Sequence, residues 1–430
     1  MDTLKKMSPA RFLALGFAVV ILLGALLLFL PFTHNKGVDV RFIDALFTST
    51  SAVCVTGLIA IDTANTFNAI GQGIVAALIQ IGGLGVASVG VSFILLARKK
   101  VDFKDRILVK EALGLDSMKG IVKLVKSILR MTLCFEGIGA ILSFIVFVRD
   151  YPIVKAIGMS IFHSIAAFNN SGFDIIGNYQ NLIPYQNNVL LNLVTCALII
   201  FGGLGFVVIK ELIHKRSFRK LSLHSKIVIS MTIALLLIGT VLLKATENIT
   251  WLGAFFFSTS ARTAGFSTYP VGNFTNAGLF VLILLMFIGA CPGSTGGGIK
   301  TTTFYVMLKG SYSMSTGRNC SCFKRKLPND IISKAFVLTF LAMALVCVNT
   351  FLLTILEPEY TFIQLLFEVV SGFGTVGLST GITPDLSPIS EFIIILTMYI
   401  GRVGPLTIAS IWSFKKQSNI NYSEESITIG

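Results

Sequence analysis

Four glycines, each ten residues after a phenylalanine, end short segments whose residue types recur in register. The segments run from Phe47 to Gly57, Phe162 to Gly172, Phe255 to Gly265 and Phe367 to Gly377. Small residues precede each glycine, and a large apolar residue follows it: Leu58, Phe173, Phe266 and Leu378. Agreement at several positions in four segments indicates an internal repeat.

Backbone oxygen atoms at these glycines could coordinate a cation. A short helix that ends inside a membrane leaves carbonyl groups without helical partners, which is tolerated only where they line a cavity or bind a ligand. Four such ends around one axis could replace the water shell of a potassium ion, and glycine permits the backbone conformations that this requires. The predicted filter is the backbone of Val55, Thr56, Gly57, Asn170, Ser171, Gly172, Thr263, Ala264, Gly265, Thr375, Val376 and Gly377.

The elements that would hold this filter follow from hydropathy. Hydrophobic residues make up 54% of the chain and charged residues 13%, with a mean hydropathy of +0.81; a soluble domain usually has about 25% charged residues. Eight apolar stretches reach the length of about 20 residues that crosses a bilayer: 12–32, 70–97, 121–148, 189–213, 226–245, 276–308, 331–356 and 388–414. Each consecutive pair encloses a shorter segment typical of a re-entrant helix: 42–53, 156–168, 251–262 and 361–373.

The predicted fold is therefore an all-α integral membrane protein. Four pseudo-repeats, each a span, a re-entrant pore helix with its filter and a second span, surround one central ion pore. The repeats cover 10–100, 118–215, 224–310 and 329–416, and a cytoplasmic tail follows at 417–430.

The formal net charge of +14 also carries information about topology. Twenty-seven Lys and Arg residues fall on the side of both termini and five on the other. Because basic residues accumulate in cytoplasmic loops, we expect a multi-pass protein of the cell membrane with both termini in the cytoplasm. The basic segments 98–126 and 210–226 either dock a regulatory partner or attract lipid headgroups.

Several motifs resemble those of the TrkH/KtrB/HKT superfamily of potassium transporters, most of all its bacterial KtrB branch. They are SAVCVTG (51–57), FNNSGF (168–173), ARTAGF (261–266), PGSTGGGIKTTTF (292–304), GTVGLSTG (374–381) and GRVGPLT (401–407). The resemblance covers about residues 10–414. It implies potassium uptake, with or without sodium, through a homodimer with one pore per subunit. Plant relatives with serine at the first filter position prefer sodium, so Gly57 favours potassium.

The same resemblance implies potassium bound at the filter, no cofactor in this chain, and a cytosolic ring of nucleotide-binding, RCK-type gating subunits. It also makes the glycine-rich break in the sixth apolar stretch a mobile intramembrane gate, with Arg402 as an ion barrier. The predicted gate residues are Gly293, Ser294, Thr295, Gly296, Gly297, Gly298, Lys300 and Arg402.

Structural alternatives exist for the gate residues. The break could be an ordinary kink, and Arg402, whose charge is costly in mid-membrane, could pair with Glu136 or with a carbonyl group. A phosphate-binding Walker A loop does not fit, because Ile299 separates Gly298 from Lys300 and no strand precedes the segment.

Other polar residues also allow two interpretations. Arg262 either caps its short helix or tunes the filter, and His163 is either a packed polar group or a proton relay. Five outer acids either concentrate cations at the mouth or form a solvated rim: Asp174, Glu357, Glu359, Asp385 and Glu391. The alternative function is a sodium- or proton-coupled secondary transporter for another cation or a small solute. An enzyme is not expected, because the apolar stretches lack paired carboxylates and histidine clusters.

Overall fold

A computed structural model describes residues 9–96, 101–112, 120–405 and 407–408; the predicted tail at 417–430 lies outside them. The described residues are mostly helical, with one short hairpin of β1 Ser321–Cys322 and β2 Arg325–Lys326. The helices are α1 Pro9–Phe29, α2 Phe42–Cys54, α3 Thr63–Thr66, α4 Ala69–Leu84, α5 Val86–Leu96, α6 Phe103–Ala112, α7 Ile121–Phe147, α8 Ile153–Phe168, α9 Val189–Leu204, α10 Phe206–Lys215, α11 Leu223–Thr246, α12 Trp251–Ser260, α13 Asn276–Phe287, α14 Thr301–Thr316, α15 Asn329–Leu356, α16 Phe362–Gly374 and α17 Pro388–Val403.

Each quarter of the chain supplies a long helix, a short helix and a second helix, and the second helix is interrupted in the first three quarters. The long helices α1, α7, α11 and α15 are apolar and have enough residues to cross a membrane. The short helices α2, α8, α12 and α16 begin and end within three residues of the predicted re-entrant segments. In each quarter the long helix thus comes first, the short helix second and the second helix last.

The second helices differ from the continuous spans that hydropathy predicted. Helices α4 and α5 meet at an angle of 100° and α9 and α10 at 99°. The residues at the breaks, Gly85 and Gly205, have φ values of 83° and 90°, which glycine adopts without a steric penalty. In the third repeat, α13 ends at Phe287 and α14 begins at Thr301, so a loop replaces the bend. Hydropathy missed the bends at Gly85 and Gly205 because the residues on both sides of each bend are apolar, whereas the glycine-rich segment 292–300 had indicated the break in the third repeat.

A repeated contact sets the depth of the first three short helices. In each, a serine hydroxyl donates to a carbonyl oxygen of the long helix: Ser49 to Ile21 (2.7 Å), Ser164 to Glu136 (2.6 Å) and Ser258 to Leu236 (2.9 Å). A glycine of the long helix faces each serine, and a leucine of the second helix closes the contact: Gly24 with Leu78, Gly139 with Leu198, and Gly239 with Leu285. The fourth repeat instead has a hydrogen bond of 2.7 Å from the Asn349 amide to the Thr397 hydroxyl.

We expect Gly139→Leu to destabilise the protein. A Cβ at this position would press on Ser164 and lie 2.6 Å from Leu198, and such overpacking costs about 1–3 kcal/mol. Gly137 is the matched control, because a Cβ there meets no atom within 4 Å. Thermal unfolding in detergent should therefore occur at a lower temperature for Gly139→Leu than for Gly137→Leu. Equal unfolding temperatures would contradict the packing role of Gly139.

Candidate cation filter

The four short helices end in the same backbone conformation. The residue two positions before each predicted filter glycine has a positive φ: Val55 (58°), Asn170 (59°), Thr263 (76°) and Thr375 (49°). The glycines themselves also have positive φ: Gly57 (91°), Gly172 (69°), Gly265 (76°) and Gly377 (93°). Residues other than glycine rarely adopt this region. The sequence repeat therefore corresponds to one turn that leads the chain out of each helix.

The four glycines lie in a closed ring of backbone. A Cβ on Gly57 would collide with the carbonyl group of Ser171, and one on Gly172 would lie 2.6 Å from the carbonyl oxygen of Ala264. In the same way Gly265 faces the Val376 carbonyl group, and Gly377 returns to that of Thr56. Each glycine thus touches the carbonyl group of the residue before the glycine of the next repeat. We call these eight residues the glycine ring: Thr56, Gly57, Ser171, Gly172, Ala264, Gly265, Val376 and Gly377.

The chemistry available at the glycine ring is that of backbone oxygens. All twelve predicted filter residues are buried. Within the described part of the chain no group of three or more His, Cys, Asp or Glu side chains could hold a metal ion. Uncharged carbonyl oxygens suit the exchange of hydration water for protein ligands by an alkali cation.

Hydrogen bonds from the short helices support two sides of the glycine ring. The amide N–H of Gly57 donates to the hydroxyl oxygen of Ser51, and that of Gly377 donates to Ser371, both at 3.0 Å. These serines occupy the same position of the first and fourth repeats. The small residues before each glycine are therefore partly explained as supports of the ring.

Asn181 links the second and third repeats at the glycine ring, and sequence reasoning missed it. Its amide nitrogen donates to the Gly172 carbonyl oxygen at 3.0 Å, and its amide oxygen accepts from the Ser267 N–H at 3.1 Å. Its φ of 50° is one that asparagine tolerates. Its loop carries no motif, and only the tertiary structure brings it to the ring.

A cavity of about 360 Å³ opens onto the outer side of the glycine ring. Its lining includes Gly57, Gly265 and Gly377 together with Tyr179 and Asp385. Asp385 is the one member of the five predicted outer acids among the residues that line this cavity. The cavity therefore brings the side chains of Tyr179 and Asp385 to this side of the glycine ring.

The other predicted outer acids contribute less to the mouth than expected. Glu391, whose side chain is buried, forms an ion pair of 3.0 Å with the half-exposed Arg41, which joins the fourth repeat to the first. A hydrogen bond from Arg41 to Asp44 raises the pKa of the guanidinium, so it stays charged.

Glu357 accepts the N–H of Ser387 at 2.8 Å. For Glu357 and Glu391, the expectation of a solvated or cation-attracting rim is therefore wrong. Asp174 accepts the N–H of Ile176, and Glu359 is exposed.

The loop 288–300 lies directly beneath the glycine ring. The N–H of Gly297 donates to the hydroxyl oxygen of Thr375 at 2.8 Å, and a Cβ on Gly296 would collide with the Thr263 hydroxyl. The N–H of Cys291 donates to the Gly203 carbonyl oxygen at 3.1 Å. The loop thus contacts filter residues above it and a second helix beside it, which an ordinary kink within one helix would not do.

Two basic side chains hold the loop from below. The Lys300 ammonium donates to the Gly296 carbonyl oxygen at 2.7 Å. The Arg402 guanidinium donates to the carbonyl oxygens of Thr295 and Gly82, joining the loop to the second helix of the first repeat. Both residues line a cavity of about 200 Å³.

Arg402 and Glu136 therefore have separate partners. Glu136 accepts a hydrogen bond of 3.0 Å from the Asn169 amide, whereas the partners of Arg402 are carbonyl oxygens. Of the two pairings considered from sequence, the structure has the one with carbonyl groups. The hydrogen-bond partners of Arg402 are therefore uncharged, although Glu111 lines the same cavity.

Arg262 and His163 both lie behind the glycine ring. Arg262 is 7% exposed, and its guanidinium donates to Thr232 at 3.5 Å. A hydrogen bond of 2.9 Å joins His163 Nε2 to the Thr195 hydroxyl, and the His163 ring packs edge-on against Phe147 and Phe266. The interpretation of His163 as a packed polar group agrees with these contacts.

Comparisons with known proteins show which proteins this chain is similar to. A profile of the TrkH family, described as cation transport protein, matches residues 17–252 and 227–422. The potassium/sodium uptake protein NtpJ of Enterococcus hirae is 40% identical over 99% of this chain and 98% of its own length. The Ktr system potassium uptake protein B is 37% identical in Bacillus subtilis, over 99% and 97%, and 35% identical in Vibrio alginolyticus, over 98% and 94%.

The fold is also similar to that of a solved structure. The crystal structure of the potassium transporter TrkH from Vibrio parahaemolyticus aligns with a TM-score of 0.76, covering 95% of this chain and 86% of that chain at 18% identity. The two chains therefore share their fold despite a low sequence identity.

We expect Thr375→Val to loosen the loop 288–300. The variant keeps the shape of the side chain but removes the acceptor for the Gly297 N–H. A hydrogen bond contributes about 1 kcal/mol, so exchange of the loop amides should rise about fivefold. Hydrogen–deuterium exchange of peptides covering 288–300 measures this. Thr350→Val is the control, because the buried Thr350 hydroxyl has no hydrogen-bond partner among the described residues; an equal exchange rate in both variants would contradict the contact.

Proposed function

Because the chain belongs to the TrkH family of cation transport proteins, we propose that it is the pore-forming subunit of a potassium uptake system. The family is one of transporters, not of enzymes. The relatives described above are named for potassium or potassium/sodium uptake. The permeating ion is potassium, and it passes through the glycine ring.

The observation that carries this proposal is the closure of the glycine ring. Four carbonyl groups, one from each repeat, lie against the glycine of the neighbouring repeat. Removing water from potassium is costly, and a ring of carbonyl oxygens offsets that cost. Each short helix also directs the negative end of its dipole toward the ion path. Glycine at all four positions leaves the oxygens free of side-chain interference.

We further propose that the loop 288–300 and Arg402 form the gate. The loop lies across the lower side of the ring, where it contacts Thr263 and Thr375. Arg402 binds the loop to the first repeat and places a positive charge on the ion path. Cations are repelled until the guanidinium and the loop move aside.

The proposal includes an orientation and two partners. The protein lies in the cell membrane of a bacterium, and both of its termini are in the cytoplasm. The distribution of basic residues supports this orientation. As the family resemblance implies, the subunit forms a homodimer and binds a cytosolic ring of nucleotide-binding gating subunits. The name "Ktr system" of two relatives supports a multi-component assembly. Helix α6 suits the docking site, since it carries Arg106 and Lys110 and its Glu111 lines the cavity beneath the loop.

Flux of potassium and sodium into liposomes that contain the purified protein tests the proposed function. Wild-type protein should conduct potassium in preference to sodium. Uptake of an organic solute without potassium flux would instead support a secondary transporter. Rescue of potassium-limited growth in a transport-deficient bacterium, with and without a co-expressed gating ring, tests the same function and the partner in cells.

Gly57→Ser should reduce the preference for potassium over sodium. The added Cβ meets the Ser171 carbonyl group, and a φ of 91° is strained for serine. We expect the ratio of potassium flux to sodium flux to fall about tenfold, which corresponds to about 1.4 kcal/mol of discrimination between the two ions. The same substitution at Gly73, where a Cβ meets no atom within 4 Å, is the control. An unchanged ratio in Gly57→Ser would contradict the filter assignment.

Arg402→Ala should raise potassium flux in the absence of any partner. The change removes the charge below the ring and the two hydrogen bonds to Thr295 and Gly82. We expect the potassium flux in the liposome assay to rise about tenfold, which corresponds to a loss of about 1.4 kcal/mol in the stabilisation of the closed state. Lys334→Ala, at an exposed surface ion pair, controls for loss of a positive charge. A flux no greater than that of wild type would count against the gate.

A further inference from the structure

The fourth repeat contains a buried acid behind the glycine ring. Glu368 is 0% exposed and lies nine residues before Gly377 on the short helix α16. The corresponding residues of the first, second and third repeats are Thr48, His163 and Phe256. A carboxyl group therefore occupies this position in one repeat of the four, where burying it without partners would be costly.

Four donors from the segment after Gly377 surround this carboxyl group. Its Oε1 accepts from the Ser379 hydroxyl at 2.7 Å, from the Thr380 N–H at 2.8 Å and from the Thr380 hydroxyl at 3.1 Å. Its Oε2 accepts from the Thr383 hydroxyl at 2.8 Å. Both oxygens are thus used, and every partner lies within six residues of the filter glycine.

These contacts determine where the chain goes once it leaves the glycine ring. The N–H of Gly377 is already held by Ser371 of the same helix, at 3.0 Å. Glu368 holds the other end of the extended segment, at Ser379 and Thr380. Since both anchors belong to helix α16, the position of the Gly377 carbonyl group is defined relative to one rigid element. Ser379 also lines the outer cavity.

We propose that Glu368 is a positioning residue that sets cation selectivity by holding the segment 378–383 and, through it, the Gly377 side of the ring. This inference rests on the proposed function. Without an acceptor for the Thr380 N–H, the segment shifts to find another partner, and the spacing of oxygens that distinguishes potassium from sodium is lost on one side of the ring.

Glu368→Ala tests the inference in the liposome assay. Its potassium-to-sodium flux ratio should fall about tenfold. Glu368→Gln should retain most of the wild-type ratio, because the amide oxygen still accepts from Thr380 and the amide nitrogen can donate to Thr383. A merely destabilised protein would instead lose potassium and sodium flux in proportion. A ratio in Glu368→Gln as low as in Glu368→Ala would overturn the proposal, since charge and not position would then be the cause.

A second pair of variants keeps the test decisive where Glu368→Ala does not fold. Thr383→Val removes one donor to the carboxyl group without changing side-chain shape, and the ratio should fall about threefold. Thr48→Val is the control for the same substitution, at the position of the first repeat that corresponds to Glu368, where the hydroxyl has no hydrogen-bond partner among the described residues. Equal ratios in these two variants would overturn the proposal.

The flux measured with the wild-type protein shows whether a negative result contradicts this inference or the proposed function. Absence of potassium flux in wild-type liposomes would contradict the pore itself. A potassium-selective wild type whose selectivity survives in both Glu368→Ala and Thr383→Val would contradict the role of Glu368 alone.

Discussion

The constraint on which this structure depends is that backbone carbonyl groups inside a membrane must find a partner. A continuous helix satisfies them all, whereas a helix that ends at mid-depth does not. The chain has four such ends, and it brings them together so that each glycine lies against a carbonyl group of the next repeat. A side chain at any of the four positions would force the repeats apart. The close approach of four backbones thus accounts for the glycines and for their positive φ values.

The depth of the short helices follows from the same constraint. The ring closes only if all four helices end at one level, and in three repeats a serine hydroxyl bonded to the long helix holds that level. The glycine opposite each serine, as at Gly139 and Ser164, allows the two helices to approach closely enough. The repeat therefore includes the contacts between the short and long helices that support the predicted filter.

The backbone of the ring repeats four times, but its surroundings do not. The third repeat replaces the bend of its second helix with the loop 288–300. The fourth repeat has Arg402 where the second helices of the first two have Gly83 and Gly203, and it has Glu368 behind the ring. If all four repeats had the same surroundings, no position beneath the ring would suit a single loop. Because the third and fourth repeats diverge, the loop has such a position, and the path of the ring backbone is unchanged.

The sequence predicts the positions of the short helices and of the glycine-rich break at 292–300, but not the bends at Gly85 and Gly205. The short helices and their terminal glycines could be found because four copies agree in register. Asn181 could not be found, because its contact with Ser267 joins residues 86 positions apart in the chain and its contact with Gly172 depends on the path of the loop between them. The sequence predicts a rim acid at Glu391 because hydropathy places it at a helix start, whereas its ion pair with Arg41 depends on how the first and fourth repeats pack together.

Loop and ring share residues, and this links the proposed gate to the proposed filter. The Thr375 backbone begins the turn into the fourth side of the ring, while its hydroxyl accepts the N–H of Gly297. Thr263 has the corresponding position in the third repeat and lies against Gly296. A loop that moves away leaves both side chains without this support. Glu368 and Ser371 hold the fourth side independently of the loop, so the geometry of Gly377 can persist when the loop has moved.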